Sequence, residues 1–169
     1  MKTAIVLDST FYMQKEWLVD NKISVVPLSV NFSNVTFKED IDDQTSIDEI
    51  FKRINDTKVS PTTSQPTRGE FYECFDRLVA EGYERIIMFT LTSRLSGTYQ
   101  NALISARDKM DELKKKKIKI EVYDSKNVAH GSVIMVMELI RYMQNVDENI
   151  PSKKIEEIVD FYGKYAKIY

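Results

Sequence analysis

The chain has 169 residues, with 24 Lys or Arg against 26 Asp or Glu, which gives a formal net charge of −2. Its 43% hydrophobic and 30% charged residues are typical of one globular domain and exclude disordered, collagen-like and disulfide-rich classes. The near-neutral charge argues against nucleic acid or an anionic membrane as a partner. A single cysteine favours the reducing cytoplasm, and no window approaches the roughly 20 apolar residues of an integral membrane segment.

Short apolar runs predict the strands of a largely parallel sheet. Residues 4–7 and 86–89 are uninterrupted runs, as in strands buried on both faces, and residues 118–123 alternate apolar with polar side chains. Alternation over residues 26–32 predicts a fourth strand, which should be irregular near Pro27 because proline has no amide donor.

Helical periods lie between these strands. Apolar side chains recur at i, i+3, i+4 and i+7 from Ile47 and from Phe71, and residues 103–113 have helical composition. Residues 133–143 predict a well-buried helix, and residues 155–162 predict a last helix that ends near Gly163. The alternation predicts an α/β domain with a doubly wound, mostly parallel sheet flanked by helices. Residues 164–169 look like the approach to another strand, so the chain ends there as a frayed tail or at a domain boundary.

The glycines exclude one class of ligand. At positions 69, 82, 97, 131 and 163 they are too far apart for a dinucleotide fingerprint or a Walker phosphate loop. An anion site would therefore depend on hydroxyl groups and helix ends, and we expect no cofactor.

Hydroxyl and carboxylate side chains directly follow three of the predicted strands. In open α/β sheets, ligands bind beyond the carboxyl ends of the strands, so we expect these groups to share one rim. The alternative, of equal weight for any one group, is that they cap the following helices. The groups are Asp8, Ser9 and Thr10, residues 90–96, and Asp124 with Ser125.

Two further segments carry clustered hydroxyls. Residues 61–66 read Pro-Thr-Thr-Ser-Gln-Pro and predict a polar loop shaped by its two prolines. Ser96, Gly97 and Thr98 stand at a predicted helix start, where free amides and the positive helix end favour an anion. Without a lysine, this helix start suits a carboxylate better than a polyphosphate.

The sequence offers little for catalysis or metal binding. His130 is the only histidine, and no Gly-x-Ser-x-Gly segment presents a serine to it, so a structural or capping role is favoured. Asp40, Asp42 and Asp43 lack the spacing of a calcium loop. We expect no catalytic residues and no metal site.

Taken together, these motifs resemble the DegV family of bacterial lipid-binding proteins. The resemblance covers essentially the whole chain in the family's order and is most specific in Thr-Thr-Ser-Gln-Pro and Ser-Gly-Thr-Tyr-Gln. Its segments are residues 4–10, 25–28, 61–66, 95–100 and 123–126.

The resemblance implies a fatty-acid carrier of two α/β halves that hold a long-chain fatty acid, such as palmitate, stearate or oleate, between them. Residues 1–169 would form the amino-terminal half, and the carboxyl-terminal domain would be missing. The carrier would present the acid to a fatty acid kinase for acyl-phosphate and phospholipid synthesis and would not itself be an enzyme. Thr63 and Ser96 would hold the carboxylate, with Ser64, Gly97 and Thr98 beside them. The expected pocket rim is Asp8, Ser9, Thr10, Asp124, Ser125 and His130.

The sequence departs from the family's pattern at two positions, with Phe11 where alanine is common and Val133 where a second glycine is common. These departures bear on the length of fatty acid that is preferred.

Two alternative functions remain. One is a hydrolase or acyl transferase that uses Ser96 with His130 or Asp124. The other is an interaction domain that dimerises through an exposed apolar face.

Overall fold

The computed structural model describes residues 1–39, 44–58, 60–113 and 117–166. Within them, the chain forms a four-stranded parallel sheet and a three-stranded antiparallel sheet. The parallel sheet has the order β2-β1-β6-β7, and its strands are β1 (Thr3–Asp8), β2 (Ile23–Val26), β6 (Arg85–Thr90) and β7 (Lys119–Asp124). The small sheet has the order β4-β3-β5, and its strands are β3 (Ser29–Phe32), β4 (Val35–Lys38) and β5 (Thr62–Ser64).

Helices of the described residues connect these strands. A 3₁₀ turn, Ser9–Phe11, follows β1 directly. Asp40, Asp42 and Asp43, and the tail residues 167–169, lie outside the described ranges. The helices are α1 (Lys15–Asp20), α2 (Gln44–Thr57), α3 (Arg68–Ala80), α4 (Thr98–Glu112), α5 (Ala129–Asn145) and α6 (Ser152–Tyr165).

The parallel sheet is buried on both faces, as its apolar runs predict. Side chains alternate along β6, so that Ile86 and Met88 face α3 and α4 while Ile87 and Phe89 face α5 and α6. Each face has its own hydrophobic core, and the doubly wound α/β arrangement is confirmed. The apolar positions predicted for α3 are all buried, including Cys74, whose thiol pKa burial raises to about 11.

The strand predicted over residues 26–32 is wrong as a single strand. β2 ends at Val26, which pairs with Asp8 in the parallel sheet, and β3 begins at Ser29 in the small sheet. Pro27 cannot extend the parallel ladder because it lacks an N–H group. The Leu28 amide then donates to the Ser9 side chain at 3.0 Å, which turns the chain out of the parallel sheet.

The polar loop predicted over residues 61–66 is also corrected. Thr62–Ser64 form the short strand β5, in which Thr63 pairs with Val30 and Ser64 pairs with Ser29. All three side chains are exposed. Flanking prolines favour extended backbone, which suits an edge strand as well as a loop.

Two helix predictions differ in detail. α5 is not buried on several faces, because Ile134 and Met137 are 51% and 47% exposed. α6 continues through Gly163 to Tyr165, so Lys164 and Tyr165 are helical rather than the approach to a strand. The glycine serves packing, since a Cβ at position 163 would lie 2.8 Å from Cδ of Lys126.

A buried ion pair fixes the start of α6 to the parallel sheet. Arg85 is 3% exposed and its Nε lies 2.6 Å from Oε2 of Glu121, while its Nη1 donates to the Ile150 carbonyl at 2.6 Å. The Ser152 hydroxyl donates to Glu121 as well. Burial alone would raise the pKa of Glu121, but hydrogen bonds from Arg85, Ser152 and Lys119 outweigh it and lower this pKa to about 2.

Candidate ligand-binding site

The polar groups that follow β1, β6 and β7 lie along one edge of the parallel sheet. The Leu91 amide donates to Oδ2 of Asp8 at 2.7 Å, which links the ends of β1 and β6. The Ser125 amide donates to the Thr90 carbonyl at 3.0 Å, which links the ends of β6 and β7. The structure therefore brings the three predicted groups together at one rim.

Asp8 lies inside this rim rather than at its surface. Its carboxylate is fully buried and accepts hydrogen bonds from the Thr10 amide at 3.0 Å and the Thr10 hydroxyl at 2.5 Å, besides that from Leu91. Burial raises the pKa of Asp8 to about 6, although these hydrogen bonds oppose the rise. Asp8 thus supports the loops of the rim and is not accessible to a ligand.

Ser9 is buried beside Asp8 and joins the rim to the small sheet. Its hydroxyl donates to Glu39 at 2.6 Å, and the Tyr12 hydroxyl donates to the other oxygen of the same carboxylate at 2.6 Å. Burial and the bond to Glu39 raise the pKa of Tyr12. A small cavity of about 200 Å³ lies here, lined by Ser9, Tyr12, Met13, Gln14, Glu39 and Ile47.

The start of α4 presents the second hydroxyl motif. Ser96 is half-buried, and its hydroxyl lies 2.8 Å from that of Thr98 and accepts from the Thr98 amide at 3.2 Å. Thr98 is fully buried, so it orients Ser96 and does not face solvent. Gly97 precedes the helix and is exposed, without a side chain to cover the backbone.

The two hydroxyl motifs are neighbours in space. The Gln65 side chain lies directly against Gly97, since a Cβ at position 97 would collide with its Oε1 unless that side chain moved away. Asn101 on α4 donates to the Pro66 carbonyl at 2.7 Å, which fastens the same segment to the helix. These contacts lie within three residues of Thr63 and Ser64 on β5.

The third part of the rim follows β7. Asp124 accepts from the Ser93 hydroxyl at 2.5 Å and from the Lys126 amide at 2.8 Å. Ser125 is fully buried, whereas His130 is exposed in the first turn of α5. Among the described residues, no hydrogen bond joins Ser96 to either His130 or Asp124. The structure therefore does not assemble the nucleophile and base that the hydrolase alternative requires.

Arg94 is a feature of the rim that the sequence motifs did not single out. It is exposed in the turn between β6 and α4, two residues before Ser96, and its amide donates to the Thr92 hydroxyl at 3.4 Å. Within the described part of the chain, its guanidinium has no ion-pair partner. The nearby Lys126, in contrast, is paired with Asp160 at 2.6 Å.

Exposed apolar side chains occur in the loops of this rim and on α5 and α6. About half or more of each side chain is exposed to solvent, whereas core side chains are buried. Apolar groups exposed in this way are suited to contact with an apolar ligand or partner. They are Leu95 (72%), Tyr12 (66%), Ile134 (51%), Met137 (47%), Phe161 (56%) and Tyr165 (60%).

A larger cleft lies at the opposite end of the parallel sheet. It has a volume of about 750 Å³, and none of the predicted site residues lines it. Its wall includes Lys2, Thr3, Lys22, Met143, Val146 and Glu148.

No group of three or more His, Cys, Asp or Glu side chains in the described ranges could hold a metal ion. No helix formed by those ranges is both long and apolar enough to cross a bilayer.

These observations define the class of protein: an α/β domain whose parallel sheet is covered by helices on both faces and ends in a rim lined by hydroxyl groups. The family model described as "Uncharacterised protein, DegV family COG1307" matches residues 2–167, and the chain belongs to the DegV family.

Individual relatives agree with this assignment. A DegV domain-containing protein of Halalkalibacterium halodurans is 41% identical over 102 residues, which cover 60% of this chain and 35% of the relative. The crystal structure of DegV from Bacillus subtilis, named a fatty acid binding protein, is 29% identical with a TM-score of 0.75, covering 96% of this chain and 54% of that one.

A more distant structure has the same fold. The fatty acid kinase B3 protein of Streptococcus pneumoniae, loaded with linoleic acid, is 20% identical with a TM-score of 0.74, covering 97% of this chain and 55% of that one. In these comparisons, the chain spans about half or less of the relative's length.

Proposed function

We propose that this chain is the amino-terminal, lipid-binding half of a fatty-acid carrier. In this proposal, the carboxylate of a long-chain fatty acid lies between β5 and the start of α4. The observation that carries the proposal is the contact of Gln65 with Gly97, which joins two hydroxyl-bearing segments at the positive end of a helix. Hydroxyls and free first-turn amides are suitable donors for a carboxylate there.

Each residue of the proposed site has its own role. Thr63 and Ser64 are exposed, and Ser96 is half-buried, so their hydroxyls are available to a ligand. Gly97 leaves the backbone open to the carboxylate, and Thr98 holds the Ser96 hydroxyl in place. The accessible rim groups, Thr10, Asp124 and His130, would border the pocket, while the buried Asp8, Ser9 and Ser125 would support it.

The acyl chain would run over the exposed apolar side chains near the rim. A second part of the protein would form the other wall of the pocket, which agrees with the greater length of the relatives. Palmitate, stearate and oleate are the ligands we expect, and the fatty acid binding named for the Bacillus subtilis relative supports this class.

The carrier would act in the cytoplasm and present the bound acid to a fatty acid kinase. The kinase would transfer the terminal phosphoryl group of ATP to the carboxylate oxygen, giving ADP and an acyl phosphate for phospholipid synthesis. The chain itself would bind and orient the acid without catalysing the transfer. This partner is motivated by the name of the Streptococcus pneumoniae relative, which contains the words fatty acid kinase.

Substitution of the two central hydroxyls tests the proposed site. Thr63→Ala and Ser96→Ala should each weaken palmitate binding by about 1.5–3 kcal/mol, the usual contribution of a hydrogen bond to a charged group. Isothermal titration calorimetry measures the loss. Ser33→Ala in the β3–β4 turn is the matched control, because Ser33 carries an exposed hydroxyl of the small sheet outside the proposed site. Unchanged affinity in both site variants would contradict the proposal.

A further inference from the structure

We propose that Asp8 is a positioning residue. Together with Ser9, it sets the place of the small sheet, which carries Thr63, relative to the start of α4, which carries Ser96. We call these two residues the Asp8–Ser9 junction. Its effect on ligand binding rests on the proposed function, whereas its structural role does not.

One arm of the junction reaches the loop that leads into α4. Oδ2 of Asp8 accepts from the amide of Leu91, 83 residues along the chain, at 2.7 Å. Leu91 is the first residue after β6 and begins the loop that contains Ser96. Because Asp8 is fully buried, water cannot replace this acceptor.

The other arm reaches both ends of the β3–β4 hairpin. The Ser9 hydroxyl accepts from the amide of Leu28, which stands just before β3, and donates to Glu39, which stands just after β4. Glu39 and Leu28 are also joined directly, since the Glu39 amide donates to the Leu28 carbonyl at 2.8 Å. Ser9 therefore holds the hairpin at the point where it leaves the parallel sheet.

The hairpin in turn fixes β5. Val30 of β3 pairs with Thr63, so a displacement of the hairpin would move Thr63 with it. Leu91 is thus linked to the strand that carries Thr63 by hydrogen bonds to Asp8 and Ser9, which are adjacent in the chain, and then by the backbone from Leu28 into β3. Backbone pairing of Asp8 with Val26 already continues the parallel ladder, so the side chain is free to serve the rim.

The junction is tested first without any ligand. Asp8→Asn replaces one of the two carboxylate oxygens by an NH₂ group, which donates and cannot accept. Either Thr10 or Leu91 then loses its acceptor oxygen. Ser9→Ala removes the group that binds Leu28 and Glu39. We expect amide hydrogen exchange to become about tenfold faster or more at Leu91 in Asp8→Asn, and at Leu28 and β5 in Ser9→Ala, with β1 and β6 unchanged. Asp20→Asn, at the exposed end of α1, is the matched control.

Equal acceleration of exchange over the whole parallel sheet would overturn the proposal, because it would indicate general destabilisation. The same would follow from unchanged exchange at all three places. Ser9→Ala keeps the test decisive if Asp8→Asn does not fold.

Coupling to the ligand site is measured by a double-mutant cycle of palmitate affinity. Asp8→Asn should weaken binding about tenfold in the otherwise unchanged protein but have little further effect when Thr63 and Ser96 are already alanine. Additive losses would show that Asp8 does not act through these hydroxyls. Absence of palmitate binding by the unchanged protein would contradict the proposed function alone, since the exchange experiment would still decide the structural role.

Discussion

Arg94 supplies a positive charge at a rim that also holds three carboxylates. Asp8, Glu39 and Asp124 all lie at this edge of the sheet, and each already accepts hydrogen bonds from neighbouring groups. A further carboxylate brought by a ligand would be repelled by them. The Arg94 guanidinium, which has no ion-pair partner among the residues that the structure describes, lies in the same loop as Ser96 and would offset that repulsion.

We therefore predict that Arg94→Ala weakens binding of palmitate about five- to tenfold, roughly the 1–1.4 kcal/mol of a partly exposed charge-assisted contact. Binding of the corresponding uncharged alcohol should not change, which competition with a fluorescent fatty acid can measure. Arg107→Ala, an exposed arginine on α4, is the control. An equal loss for the acid and the alcohol would mean that Arg94 contributes packing rather than charge.

Gly97 and Gln65 give a second prediction at this scale. The backbone of Gly97 has φ −76°, which alanine adopts readily, so any cost of Gly97→Ala comes from the collision with Gln65. Because Gln65 is exposed, its side chain can turn away from an added methyl group, so we expect Gly97→Ala to change the free energy of unfolding by less than about 0.5 kcal/mol. Chemical denaturation measures the change. A loss above about 1 kcal/mol that disappears in a Gln65→Ala background would contradict this expectation.

Single residues of the site were predictable only in part. Clustered hydroxyls at a helix start indicate an anion site near Ser96, and the resemblance to the DegV family adds Thr63 and Ser96 as the residues that would hold a carboxylate; this assignment stays a prediction. The internal role of Asp8 is not visible there, since its partner Leu91 becomes adjacent only in the folded sheet. Thr98 was expected beside the ligand, but its complete burial assigns it to support.

Among the elements, α6 depends on the buried pair of Arg85 and Glu121 for its attachment. We predict that Glu121→Gln lowers the free energy of unfolding by about 3 kcal/mol at neutral pH, as usual when one partner of a buried ion pair is removed. Glu156→Gln, on the exposed side of α6, should have little effect.

The same pair has a defined pH dependence. The pKa of Glu121 is about 2 when folded and 4.5 ordinarily, so its stabilisation is present above pH 4.5 and is lost as the pH falls towards 2. The stability difference between the unchanged protein and Glu121→Gln should therefore shrink by about 3 kcal/mol over this range. Urea titrations at several pH values measure it. A difference that stays constant would contradict the assigned pKa.

Helices and strands could be predicted from the sequence where their burial imposes a regular pattern of apolar residues. Uninterrupted apolar runs predicted β1 and β6, and helical stripes predicted α3 and α6. The small sheet did not follow, because alternation shows that a segment is extended but not which strand it pairs with. The break at Pro27 divides one alternating segment between two sheets, and β5 consists of three exposed polar residues with no apolar pattern.

At the scale of the whole molecule, several large apolar side chains remain exposed to solvent instead of packing into the core. Leu95, Ile134 and Phe161 are each more than half exposed near the rim or on α5 and α6. We predict that this chain alone self-associates, so that light scattering gives a mass above 19.7 kDa that rises with concentration. Ile134→Lys together with Phe161→Lys should restore the monomer. A monomer at all concentrations would contradict dimerisation through this face.

Fatty acid binding by the protein that carries this chain is the central claim. Native mass spectrometry of that protein, purified from its own cells without added lipid, tests it most directly. We predict a bound species whose extra mass equals one long-chain fatty acid and which is depleted when Thr63 and Ser96 are both replaced by alanine. A spectrum without ligand, which remains so after incubation with palmitate or oleate, would contradict it.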